Sequence, residues 1–175
     1  YMNLEKYQQY SRIARGLEKA DLVLKDARIV NVFTEEIIRG DIAIQDGIIA
    51  GIGSFHGKEE RDLAGRYVCP GFIDSHLHLE STLVTPAELV TAASRHGTTT
   101  FIVDPHESAN VSGLAGIDYI LDQTEDVKAN VYVMMPSCVP ATAIDDNGCT
   151  LTAEDMVPYL HNSRILGLGE VMDSI

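Results

Sequence analysis

Within PGFIDSHLHLE, residues 70–80, two histidines stand two residues apart, with an acid two residues before the first and another two residues after the second. Side chains of an extended strand alternate between its faces. That rule puts Asp74, His76, His78 and Glu80 on one face, with Ile73, Leu77 and Leu79 on the other. Neutral imidazoles at i and i+2 can present nitrogens to a single ion at about 2 Å while the backbone stays regular, so His76 and His78 are read as metal ligands. Further on, TTTFIVDPHE carries Asp104, His106 and Glu107, and RILGLGEVMD carries Glu170 and Asp173. A carboxylate buried unpaired on the glycine-bracketed run GLGEVM would cost several kcal/mol, and an ion removes that penalty, so Glu170 is read as a third ligand. Glu80 is a candidate proton carrier. Glu80 also fits an outer acceptor that fixes a ligand imidazole. Asp104-Pro105 equally suits a simple turn, and His106 equally suits a residue that only orients a neighbour. His56, His96 and His161 are assigned no role.

These residues need elements to position them. After Pro70, strand-like apolar runs alternate with helical stretches: GFIDSHLHL, TPAELVTAASRHG, TTTFIVDPH, LAGIDYILDQTED, ANVYVMMPS, TAEDMVPYLHN and RILGLGEVM. This order predicts four parallel strands with three intervening helices in an α/β unit whose sheet is buried on both faces. The working groups of such sheets gather at the carboxyl ends of the strands, where three of the four candidate strands end in His, Asp or Glu. Residues 3–18 carry Leu4, Tyr7, Ile13, Ala14 and Leu17 at helical spacing and predict a packed amphipathic helix. Residues 21–69 read as a small, mainly antiparallel β unit, with Asp46-Gly47 between apolar runs as a hairpin turn.

The chain has 175 residues, 45% of them hydrophobic and 22% charged, which suits a globular protein with a core. A net charge of −13, with no basic run, argues against nucleic-acid or anionic-membrane surfaces. No apolar run spans a bilayer and the first residues lack a signal-peptide core, so the cytoplasm is expected. Cys69, Cys138 and Cys149 form no CxxC pair, which argues against disulfides and a thiolate zinc site. The His78-Leu79-Glu80 triplet matches half of the small zinc deaminase pattern, but the P-C-x-x-C half is missing and that fold is rejected.

PGFIDSHLHLE resembles the first barrel strand of the amidohydrolase superfamily, in which a small β-sandwich precedes a (β/α)8 barrel. The runs HLHLEST, TTTFIVDPHESANVSG, SCVPA and LGEVMD resemble the bacterial adenine deaminase family. The resemblance implies an N-terminal helix (1–20), a β-sandwich unit (21–69) and the first four βα units of an incomplete TIM-type barrel (70–175). It implies two divalent ions, manganese, iron or zinc, with His76 and His78 on the first and Glu170 bridging both. Asp104 would take part in proton transfer or the ligand shell. It also implies hydrolysis of adenine to hypoxanthine and ammonia through a metal-bridged hydroxide, with a small purine base as substrate and further ligands from later strands. A (β/α)8 barrel needs about 250 residues, so the chain is expected to be an N-terminal piece of a longer enzyme, inactive alone and prone to homo-oligomerise. Two alternatives stay open. One is another amidohydrolase acting on a cyclic amide or aminated ring; the other, for this chain as it stands, is a noncatalytic metal-binding or self-associating module.

Overall fold

The structure, a computed structural model, describes residues 3–172. They form two compact units that divide at Pro70–Gly71. In the first, helix α1 (Leu4–Ala14) is followed by β1 (Ala20–Asn31), β2 (Glu36–Gln45), β3 (Ile48–Gly53), β4 (Gly57–Asp62) and β5 (Tyr67–Val68). One sheet of order β3-β2-β1-β4 results, with β5 also on β1. The β1–β2 and β2–β3 pairs are antiparallel, whereas β4 and β5 run parallel to β1. The Asp46-Gly47 turn closes the β2–β3 hairpin with positive φ at both residues, 51° and 76°, the backbone that Asp and Gly tolerate best. Helix α1 departs from the expected amphipathic pattern. Ile13 is buried, while Leu4, Tyr7 and Leu17 are each 64–70% exposed. Gly16, at φ +69°, turns the chain before Leu17, so Leu17 lies outside the helix.

The second unit contains β6 (Phe72–Leu77), α2 (Pro86–Ser94), β7 (Thr98–Val103), α3 (His106–Ser112), α4 (Leu114–Gln123), β8 (Asn130–Met135), α5 (Ala153–Met156) and β9 (Ile165–Leu168). The four strands pair in parallel in sequence order, β6-β7-β8-β9. Strands and helices alternate because each strand must be carried back to its starting end before it can pair in parallel. One face of the sheet buries Phe101, Val103, Val131, Val133 and Met135 against Val90, Ile117, Ile120 and Leu121 of the helices. The expectation of a sheet buried on both faces is met on this face alone. Ile102, Tyr132 and Met134 on the other face are half-buried, and Phe72, Ile73, Leu166 and Leu168 on the outer strands are exposed. Among the described residues no helix is long and apolar enough to cross a membrane.

Candidate metal centre

Strand β6 stops at Leu77, and Glu80–Thr82 form a 3₁₀ turn after Leu79 takes helical dihedrals. The two-residue alternation therefore ends before Glu80, and the expected common face of Asp74, His76, His78 and Glu80 does not form. Two of the four do converge. The His76 and His78 rings meet edge-on with centroids 4.9 Å apart. The third partner arrives from two strands beyond the neighbour of β6. Glu170, just past β9, brings one carboxylate oxygen to 3.5 Å from His76 Nε2 and the other to 3.6 Å from His78 Nε2. One ligand atom from each residue lies within 4.8 Å of the other two. Donors held about 2 Å from one ion stand about 3–4 Å apart, and the two Glu170 distances fall in that range.

The outer ring of the site came less directly from sequence. Glu107 Oε2 stands 3.1 Å from His78 Nδ1. A carboxylate beside the far nitrogen is the usual companion of a metal-binding imidazole. Glu107 lies in the first turn of α3 because the strand stops at Val103 and a helix begins at His106, where the sequence pattern suggested more strand. Glu80 lies behind it, its Oε1 accepting from the Ser108 backbone N–H at 3.1 Å. Burial first, and then the charge of Glu107, push the Glu80 carboxyl above its ordinary pKa. For Glu107 burial acts the same way, but backbone and Glu80 hydrogen bonds, Ser81 and the charge of His78 bring it below the ordinary value.

Asp104 is wholly buried and His106 nearly so. Asp104 Oδ2 accepts from the Glu170 backbone N–H at 3.0 Å, and His106 Nε2 donates to the Cys138 carbonyl at 2.6 Å. The Ser137 hydroxyl, passed over in the sequence, donates to the Glu170 carbonyl at 2.6 Å. Asp173 lies outside the described residues. His78 Nδ1, Glu80 Oε2, Asp104 Oδ1 and His106 Nδ1 are buried without a hydrogen-bond partner. Unpaired buried acceptors beside two imidazoles and a carboxylate fit a cation, since they are costly without one. Beside them opens a pocket of about 510 Å³ lined by His106, Glu107, Asn110, Asp145, Glu170 and Met172 among others.

The amidohydrolase family profile matches residues 67–167. An adenine deaminase of Desulfitobacterium hafniense strain Y51 is 58% identical over 174 residues, 99% of this chain and 31% of that protein. An adenine deaminase of Clostridium acetobutylicum is 52% identical over 160 residues, 91% of this chain and 28% of that protein. The chain thus spans about a third of the length of these curated relatives. Among solved structures, an atrazine chlorohydrolase of Arthrobacter aurescens TC1 complexed with zinc aligns with a TM-score of 0.64 at 15% identity, over 87% of this chain and 48% of that one. An N-acyl-D-glutamate deacylase of Bordetella bronchiseptica aligns with a TM-score of 0.52 at 23% identity, over 80% and 34%. Profile, relatives and fold agree, and the chain belongs to the amidohydrolase family.

Proposed function

We propose that this chain is part of an adenine deaminase, which converts adenine and water to hypoxanthine and ammonia. The observation that carries the reading is the convergence of His76, His78 and Glu170 at the carboxyl ends of parallel strands. The identity to adenine deaminases over nearly the whole chain supports the substrate. The four-stranded unit is proposed as the start of a (β/α)8 barrel and the five-stranded sheet as one layer of a β-sandwich; the free outer edges of β6 and β9 support the former. The free Cys69, Cys138 and Cys149 support a reducing, cytoplasmic setting.

In this reading His76 and His78 would hold one divalent ion of a pair, to which Glu170 would also contribute, whether manganese, iron or zinc. Zinc in the two solved relatives supports a divalent ion. Bound ions supply a water acidic enough to attack near neutral pH and polarise the reacting ring. The chain's own residues do the rest. Glu107 keeps the His78 ring in place and faces the pocket. Glu80 is the candidate source of the proton that must reach the ring nitrogen or the departing amine, since an amide anion does not leave unaided. Three donors facing an open side also favour a second reading for the chain taken alone, a metal-binding module without turnover. The test compares adenine turnover, with added Mn(II), Fe(II) or Zn(II), for residues 1–175 and for the protein at the full length of its relatives. Turnover by the longer protein alone is the expected result. Its absence from the longer, metal-loaded protein overturns the deaminase reading.

A further inference from the structure

We propose that Asp104 and Ser137 act as a two-sided clamp on the backbone of Glu170, so that Asp104 is a positioning residue rather than a proton carrier. The proposal rests on Glu170 being a metal ligand. Strand β9 ends at Leu168, and beyond it the Glu170 peptide lies outside the sheet's ladder. Its N–H goes to Asp104 Oδ2 at 3.0 Å, at the end of β7, and its carbonyl receives the Ser137 hydroxyl at 2.6 Å, at the end of β8. With both sides of the residue's backbone held, the direction of its Cα–Cβ bond is set, and the carboxylate is delivered toward His76 and His78 rather than swinging with a loop.

Two neighbours support the clamp. A Cβ on residue 169 would collide with the Asp104 carboxylate, so Gly169 is what lets Asp104 reach the Glu170 N–H. His106 Nε2 faces the Cys138 carbonyl, which can only accept, so that nitrogen carries the proton. Its other ring nitrogen, Nδ1, lies 3.5 Å from Asp104 Oδ1. An asparagine at 104 keeps an oxygen that accepts from the Glu170 N–H. A clamp therefore survives Asp104→Asn, whereas a proton carrier does not.

The experiment measures Mn(II) affinity by electron paramagnetic resonance of free ion, with kcat and KM for adenine, in the protein at the full length of its relatives. Ser137→Ala is expected to lower Mn(II) affinity by about tenfold or more, the usual cost of losing a residue that orients a ligand. Ser137→Thr, which keeps the hydroxyl, should restore it. Asp104→Asn, which keeps an oxygen for the Glu170 N–H, should retain more Mn(II) affinity than Asp104→Ala. If Asp104→Ala fails to fold, the Ser137 pair and Asp104→Asn carry the test. Unchanged affinity in Ser137→Ala, or a collapse of kcat in Asp104→Asn at unchanged affinity, overturns the clamp. A parent protein that binds no Mn(II) overturns the ligand assignment of Glu170 and the clamp with it.

Discussion

His76 and His78 reach the same carboxylate from two positions on one strand end, and that is the feature most open to mutation. Changing both to Ala in the protein at the full length of its relatives should remove most bound metal while leaving the fold, since neither side chain belongs to the buried core. Elemental analysis of metal per chain checks this, and unchanged stoichiometry would count against the ligand assignment. Glu80 makes a different prediction because it sits one carboxylate away from the imidazoles. Glu80→Gln should lower kcat by about 10²-fold or more with metal content unchanged, the range typical for a lost proton donor. Equal kcat in the variant would reduce Glu80 to a support for the Ser108 N–H. At this scale His76, His78 and Glu170 were legible from residue type and spacing. Glu107 was not, because its part depends on α3 starting at His106, and the run DPHE has no strand-versus-helix signature of its own.

Elements are held by polar pins as well as by apolar faces. Arg164 joins the end of α4 to β8, donating from Nε to the Val131 carbonyl at 3.0 Å and from Nη1 to the Leu121 carbonyl at 2.8 Å, with Nη2 on Thr124 Oγ1. Arg164→Ala removes three hydrogen bonds to groups of the buried residues Val131, Leu121 and Thr124 and should cost about 2 kcal/mol, read as a lower denaturant midpoint. In the first unit Asp41 accepts from Lys25 Nζ at 2.5 Å, from the Asp26 N–H at 3.1 Å and from the Phe55 N–H at 3.2 Å, tying the β3–β4 connection to β1. Burial alone would raise the Asp41 pKa, but these hydrogen bonds outweigh it and hold it below the ordinary 3.8. Its stabilisation is therefore complete above that value and is lost as pH falls through the lower, folded pKa. Lys25 is held above the ordinary 10.5, chiefly by Asp41, so its share is present below that pH and fades as pH rises through the folded value. Melting temperature followed from neutral pH down should show an acid limb that Asp41→Asn flattens. Strands β1 to β3 were readable from alternating apolar residues and the Asp-Gly turn. Strand β4, GKEERD, was not, because its exposed edge is built from charges and shows no apolar period.

The whole molecule carries 26 acids against 13 bases. Such a balance disfavours polyanionic partners and leaves cation binding as its natural electrostatic role. Within the second unit β6 and β9 each pair with one neighbour among the described residues, and Phe72, Ile73, Leu166 and Leu168 are each more than half exposed. Open parallel edges beside apolar side chains recruit further strands. Residues 1–175 should accordingly self-associate with rising concentration in sedimentation, and Leu168→Lys should shift them toward the monomer. A chain that stays monomeric at high concentration would remove the edges as a cause of assembly.

The amino-acid sequence by itself determined the parallel α/β order of the second unit and the hairpin of the first, and it singled out His76, His78 and Glu170, which the fold brings together. Periodicity, turn chemistry and residue type are local properties, and a strand end is where an α/β sheet exposes its polar groups. Only the tertiary structure decided that Glu80 leaves the histidine face, that Glu107 takes the outer nitrogen of His78, and that Asp104 and Ser137 meet on the Glu170 peptide. The contacts of Glu107 with His78, Ser137 with Glu170 and Asp104 with Glu170 join residues 29, 33 and 66 positions apart, and separations of that length are closed by the register of neighbouring strands, which no local pattern records.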